Sequence, residues 1–283
     1  MQPAVARKIW QRLEPFHATM YFAPEVAAAG KALGLKGTWM GYFSGRGAPF
    51  GAAPAELIDA TFFNFHPSLV HRAIPDAWGY APPDAIWNAR LDALGGVLDA
   101  VLGAVAEQPE LQALAGELID AAHAASPSGR PLFAATRSMP VPEVPVQRLW
   151  FAATLVREYR GDGHVAVLTG AGFDGCEAHV SAVMGGASRE ILQGTRAWSD
   201  DEWDAAAERL RARGLIDEAG EPTSAGRESR AAIEARTDEL SVPLLGRIAD
   251  ADAALDLLAP VANAVAEAGI VPFPNPMGVT KSS

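Results

Sequence analysis

The sequence predicts an all-α fold with a small β-hairpin, arranged as two related halves. Three observations carry this. Ala and Gly are abundant across 283 residues while β-branched residues are scattered, which favours helix over sheet. A Pro-rich stretch at 126–146 falls near the middle of the chain. Similar segments recur on either side of that stretch.

Taken in order, residues 4–14 read as a short helix stopped near Pro15, which cannot continue a helix from its interior. A second helix runs from Pro24 to Leu33, with Gly34 as its stop. Residues 38–44 carry Trp39, Tyr42 and Phe43 and lead into the Gly-rich turn Gly45-Arg46-Gly47. Pro54-Ala55-Glu56 opens another helix, and Phe62–Pro67 reads as a tight joint. Helices follow at about 84–106 and 110–125. Residues 126–146 form an extended connector between domains 1–125 and 147–283, and Val146–Tyr159 resumes a helical pattern.

The repeat rests on particular residues. Val26 through Gly37 resembles Val165 through Gly175 with one residue deleted. Pro54–Thr61 matches Ser188–Thr195 at a constant offset of 134, with Glu, an aliphatic pair and Thr recurring. Each half opens on a Trp-containing helix, around Trp10 and Trp150.

Residues 188–240 carry the sharpest local pattern. Ser188 caps a short helix. Ser199-Asp200-Asp201-Glu202 is a capping box, in which Ser199 accepts from the Glu202 amide and Glu202 reaches back. The following helix sets Trp203, Ala206, Ala207 and Leu210 on one face and ends at Gly214. Leu215-Ile216 and Pro222-Thr223 read as two short strands about a turn, followed by a long helix. Helix, turn, helix, two-stranded wing, helix is the order of a winged helix. The expectation is thus all-α with a small β-wing, two winged-helix-like halves related by an internal duplication.

The stretch RARGLIDEAGEPTSAGRESRAAIEARTDEL resembles the wing and following helix of MarR-like winged-helix regulators. LEPFHATMYFAPE, FSGRGAPFG, FFNFHPSLVHRAIPDAW and LVREYRGDGHVAVL resemble a bacterial helix-turn-helix family labelled SalK-like. The resemblance covers nearly the whole chain. It implies a fold more firmly than an activity. MarR-like proteins are two-fold dimers that bind small ligands near the dimer interface, so a duplicated chain resembles such a dimer fused into one polypeptide.

Charge argues against nucleic acid as the main partner. The net charge is -11, with 34 acids against 23 bases, whereas DNA binding depends on Lys and Arg neutralising phosphates. The helix at 199–213 sets Asp200, Asp201, Glu202, Asp204 and Glu208 against Arg209, Arg211 and Arg213, where a DNA-reading helix is basic and polar. Membrane-surface binding is disfavoured on the same ground. The single cysteine, Cys176, rules out an internal disulfide framework and suits a cytoplasmic protein, and no apolar run reads as a signal peptide or membrane span.

The expected partner is a small-molecule ligand, bound by a monomer or homodimer in a cavity between the halves. Tyr21, Trp39, Tyr42, Arg46, Phe62, Phe65 and Arg160 are the candidate lining, with Arg46 as a carboxylate or phosphate contact. An enzymatic reading gives His17 or His164 the role of general acid or base, oriented by Asp162 or Glu158. Structural readings compete: Arg160 pairing with Asp162, His164 bonding backbone, the aromatic residues and Cys176 filling core. The cofactor stays open. No His-Glu-x-x-His, CxxC, P-loop, GxGxxG or Gly-x-Ser-x-Gly motif occurs, and haem ligation by His66 or His71 has no attachment motif behind it.

Overall fold

A computed structural model describes residues 1–275 and Met277. Among these, regular structure is helical throughout. Fourteen α-helices run in the order α1 (Pro3–Phe22), α2 (Pro24–Ala32), α3 (Gly37–Gly47), α4 (Ala55–Thr61), α5 (Pro67–His71), α6 (Pro83–Leu102), α7 (Pro109–Ala124), α8 (Pro131–Arg137), α9 (Pro145–Gly170), α10 (Gly175–Met184), α11 (Arg189–Arg196), α12 (Asp200–Ala212), α13 (Ser224–Leu245) and α14 (Ala251–Ala268).

Proline opens many of these helices at the first turn, where its missing N–H costs nothing. The long elements α1, α6, α7, α9, α13 and α14 surround one core, in which Phe16, Leu94, Leu98, Leu111, Phe133, Leu149, Trp150 and Phe151 are fully buried. Each large apolar side chain withdrawn this way contributes roughly 1.5–3 kcal/mol. Two smaller clusters flank it. One gathers Met40, Phe43, Ile58, Phe62, Phe65 and Leu69. The other gathers Leu168, Phe173, Cys176, Leu192, Trp203 and Leu210 around the helix-turn-helix segment.

Several expectations are corrected by packing. Helix α1 runs through Pro15 to Phe22, because Leu13, Phe16 and Ala18 all enter the core and hold the helix across the lost hydrogen bond. Gly45-Arg46-Gly47 is the last turn of α3 instead of a loop. Its glycines serve close approach: a Cβ on Gly45 would lie 2.6 Å from Arg90 Nη1, and one on Gly47 2.7 Å from Ile58 Cδ1. Arg160 to His164, expected where one helix hands over to the next, lies inside the 26-residue α9. Gly163 there makes room for Arg130, which would come within 2.7 Å of an added Cβ. The Pro-rich stretch 126–146 contains α8, tied down by the Phe133 N–H donating to Asp162 Oδ2 at 2.9 Å, and the main core draws on residues from both sides of it.

The expected β-wing is reduced to a tight hairpin. Ile216 and Pro222 form one isolated antiparallel bridge, and no strand forms among the described residues. The physical reason lies in residues 217–221, where the Asp217 carboxylate accepts from the amides of Ala219 and Glu221 and curls the loop before a ladder can extend.

Helix α1 packs on α14, α13 and α9, whereas α9 packs most extensively on α13 and α7 and then on α1, α8 and α6. The segment Phe63–His66 bridges to the helix-turn-helix unit: the His66 amide donates to the Arg196 carbonyl, and Trp198 Nε1 donates to the Asn64 carbonyl at 3.0 Å. Gly175 allows this contact, since a Cβ there would sit 2.2 Å from the Phe63 carbonyl oxygen. Gly175→Ala is therefore expected to cost about 1–3 kcal/mol in urea denaturation. Gly170→Ala, with nothing within 4 Å of the added carbon, serves as the neutral comparison. Equal midpoints for the two variants would contradict this packing.

Candidate functional site

At the crossing of α1 and α9 lies a cluster of buried charges. Glu158 of α9 accepts two hydrogen bonds from Arg46 Nη2, at 2.8 and 2.9 Å, and one from Arg157 Nη1 at 2.9 Å to Oε2. Arg46 Nη1 donates to the Tyr42 hydroxyl at 3.0 Å. Glu14 of α1 faces Arg157 Nε at 3.6 Å and accepts from Trp10 Nε1 at 3.0 Å. Burial acts to raise the Glu158 pKa, but Arg157 and Arg46 outweigh it and hold the carboxyl below its ordinary range. For Glu14 burial prevails over Arg157 and Trp10, and its pKa is raised.

His17 stands beside this cluster with its tautomer set by neighbours. The Thr154 hydroxyl donates to the Trp150 carbonyl at 2.8 Å, so it accepts from His17 Nδ1 at 3.1 Å. His17 Nε2 is then the acceptor for the Tyr21 hydroxyl at 2.9 Å. The imidazole stacks on Trp150, with ring centroids 5.5 Å apart and planes 9° from parallel. Burial, reinforced by Arg157, Arg46 and Arg90, drives its pKa well below the ordinary value, so His17 is neutral. Burial pushes the Tyr21 phenol up to about 12. Burial also opposes ionisation of Tyr42, but Arg46, Arg196 and Arg157 outweigh it and lower its pKa.

The aromatic residues form one wall. Tyr42 contacts Tyr21, Trp39, Phe43, Phe62 and Phe65, and the Arg46 guanidinium lies 4.5 Å from the Phe62 ring centre. Arg196, the last residue of α11, sits 4.3 Å over Phe65. Tyr21, Trp39, Tyr42 and Arg157 remain partly accessible amid buried neighbours. Two open grooves on the outer surface, of 520 Å³ beside Gln112, Arg148 and Arg247 and 480 Å³ beside Pro75 and Tyr80, lie elsewhere.

The structure thus brings together His17, Tyr21, Trp39, Tyr42, Arg46, Phe62, Phe65 and Glu158. It separates the other candidates. Arg160 pairs with Asp238 at 3.0 Å and lies over Trp10, so the expected Arg160–Asp162 pair does not form. His164 Nδ1 meets the Thr237 hydroxyl at 2.9 Å. Asp162 bonds the Phe133 amide and orients neither histidine, while Glu158 is committed to arginines. The cause is the continuous α9, which spreads Glu158, Arg160, Asp162 and His164 around a helix surface instead of converging them in a loop.

Sequence reasoning missed Arg90, Arg157 and Arg196. Arg90 carried a readable signal, since it falls on the buried stripe Ile86, Trp87, Arg90, Leu94, Leu98 of α6. A charge on an apolar stripe calls for a partner. No group of three or more His, Cys, Asp or Glu suited to a metal occurs among the described residues. Cys176 packs against the Glu202 carbonyl, and burial raises its thiol to about 12.

The second candidate surface is the helix-turn-helix unit, α10, α11 and α12. The turn between α11 and α12 passes through Ala197 in the left-handed region, at φ 62°. The Ser199–Glu202 capping box forms as the sequence indicated. The outward face is acidic: the side chains of Asp200, Asp204 and Glu208 are 83%, 71% and 72% exposed. Its arginines are already engaged. Arg209 binds Asp174 and Glu177 at 2.5 and 2.8 Å, Arg211 binds Glu208, and Arg213 donates to the carbonyls of Ala171 and Gly172.

A helical scaffold carrying a helix-turn-helix unit defines the class of protein. The comparison with protein families agrees: a model described as a helix-turn-helix family matches residues 6–272, and the chain belongs to that family. No curated protein and no solved structure matches the chain. No helix among the described residues is long and apolar enough to cross a membrane.

Asp162 gives this region a testable pH dependence. Burial, with Glu158 adding to it, raises the carboxyl to about 7 against the opposing Phe133 amide and Arg130. A raised folded-state pKa stabilises below the unfolded value of 3.8 and is lost as pH rises to about 7, so ionised Asp162 burdens the fold at higher pH. Asp162→Asn keeps an acceptor for the Phe133 amide. It is expected to stabilise by a few kcal/mol at pH 8 and far less at pH 4, at about 1.4 kcal/mol per pKa unit. Thermal melts showing the same effect at both pH values would contradict the assignment.

Proposed function

We propose that this helix-turn-helix protein binds a small organic ligand at the junction of its two halves, and that its own grip on DNA is weak or lost. The carrying observation is the charge cluster at the α1–α9 crossing, where Arg46, Arg157, Tyr21 and Tyr42 converge beside an aromatic wall and part of the lining stays accessible. A cluster serving stability alone gains little from buried ion pairs, because desolvation offsets most of their attraction. Residues 1–125 and 147–283 are, in this reading, the two winged-helix-like halves of a duplicated chain. The segments that recur on either side of the Pro-rich stretch support this, and the ligand in this reading lies where α1 meets α9.

Membership of a helix-turn-helix family supports a second reading, a DNA-binding transcriptional regulator, for which the MarR-like form rests on the sequence resemblance alone. The acidic outward face of α12 and its engaged arginines weigh against tight docking on phosphates. Arg196 links the two readings: it closes α11 and stacks on the aromatic wall of the site, so a ligand there touches the helix-turn-helix directly.

Two experiments test the proposal. In a gel-shift assay at low salt, where phosphate contacts are strongest, about 10 μM protein is expected to leave random and genomic duplexes unshifted. A discrete shifted band would favour the regulator. Native mass spectrometry of the purified protein is expected to show a small organic adduct that Arg46→Ala lowers strongly. An adduct retained in full by the variant would remove the cluster from ligand binding.

A further inference from the structure

The charges in this cluster do not balance. Arg46, Arg90, Arg157 and Arg196 all act on Tyr21 and Tyr42, and among the described residues the carboxylates that face these arginines there are Glu14, Glu158 and, toward Arg46, Asp162. Arg90 is the extreme case. It is 8% exposed, and its one hydrogen-bond partner among the described residues is the Met20 sulfur, at 3.5 Å. No carboxylate lies within ion-pair distance of it among those residues. Its guanidinium sits between Trp87 and Trp150, at 5.4 and 5.6 Å from their ring centres. Arg46, also 8% exposed, and Arg196, 9% exposed, each leave a buried Nε without an acceptor.

A guanidinium cannot shed its proton to escape this environment as a lysine does. Burying one without an anion is strongly unfavourable, because the lost hydration is not replaced. The fold nevertheless makes room for Arg90. Gly45 lacks the Cβ that would collide with its Nη1, and that glycine immediately precedes Arg46. Two arginines are thereby presented from neighbouring elements, α6 and α3, with the Arg46 guanidinium 5.9 Å from the Tyr21 ring centre. With both Arg46 Nη atoms engaged by Tyr42 and Glu158, the unpaired fork of Arg90 and the unpartnered Nε of Arg46 are the donors that suit an oxyanion.

Resting on the ligand-binding reading above, we infer that the ligand is an organic anion whose carboxylate or phosphate is held by Arg90 and Arg46, with its apolar part against Trp150, Tyr21 and Tyr42. Arg196 adds positive field from the helix-turn-helix side. The engaged Glu158 keeps Arg46 in place and leaves Arg90 as the residue that selects for charge.

The test is isothermal titration of the full chain, at pH 7 and low salt, with benzoate, phenyl phosphate, inorganic phosphate and the uncharged isostere benzamide. Benzoate or phenyl phosphate is expected to bind at least about tenfold tighter than benzamide and than inorganic phosphate, and whichever is tighter names the oxyanion. Arg90→Gln is expected to abolish that preference and Arg90→Lys to reduce it, since the ammonium lacks the fork. Arg236→Gln, on the exposed face of α13, is expected to keep it. Benzamide binding as tightly as the acids overturns the oxyanion assignment and leaves the ligand-binding reading standing. Inorganic phosphate binding tightest overturns the organic part. No binding by any probe overturns both. A folded Arg90→Gln and Arg90→Lys pair that keep the full preference removes Arg90 from the site.

Discussion

A carboxylate buried in the middle of a long helix is the constraint around which this molecule is arranged. Glu158 cannot stay ionised among apolar neighbours without cations, and it receives Arg157 from its own helix and Arg46 from α3. That requirement fixes α3 against α9. It brings Tyr42 and the aromatic wall with it, and sets α1, through Glu14 and His17, on the opposite side. Removing either Arg46 or Glu158 strands the other charge, so the site and the packing of α3 beside α9 stand or fall together.

The helix-turn-helix unit pairs an intact scaffold with an acidic outward helix face. Its apolar core, capping box and left-handed turn are intact. Its basic side chains, however, are spent on holding the unit together, with Arg209 and Arg213 tied back to the segment before α10. The most exposed charged side chains of α12, Asp200, Asp204 and Glu208, are carboxylates. The first-half segment Phe63–His66 closes on the same unit, and His66 reaches Glu202 at 2.9 Å on the first turn of α12. Fold and family do not by themselves assign an activity, which rests on the chemistry of particular residues.

Local rules were legible in the sequence where side chains act within a turn or two. The capping box at Ser199, the helix starts at Pro24 and Pro83, and the apolar face of α12 are of this kind. What sequence could not show depends on distant partners. Pro15 looks like a helix end until Leu13 and Phe16 are seen in the core. Gly45-Arg46-Gly47 looks like a turn until Arg90 and Ile58 claim the space beside its glycines. Of the site, Arg46, His17, Tyr21 and the aromatic residues were legible as residue types in suggestive places. Their convergence with Glu158 depends on Arg46 of α3 reaching α9, a contact between positions 112 residues apart that no local pattern shows. Asp162, Arg160 and His164 were misplaced because two glycines within five residues suggest a loop, whereas the packing of α9 on α8 and α13 keeps them helical.

The central claim is that the fold buries more positive charge than it neutralises at one place. Anomalous diffraction from crystals soaked in bromide tests it directly, because a small monovalent anion goes where uncompensated charge is accessible. The account predicts an ordered bromide, or an organic anion resisting its exchange, between the Arg90 and Arg46 guanidiniums. An empty cluster, with Arg90 turned to a protein carboxylate and bromide confined to the outer surface, would contradict it.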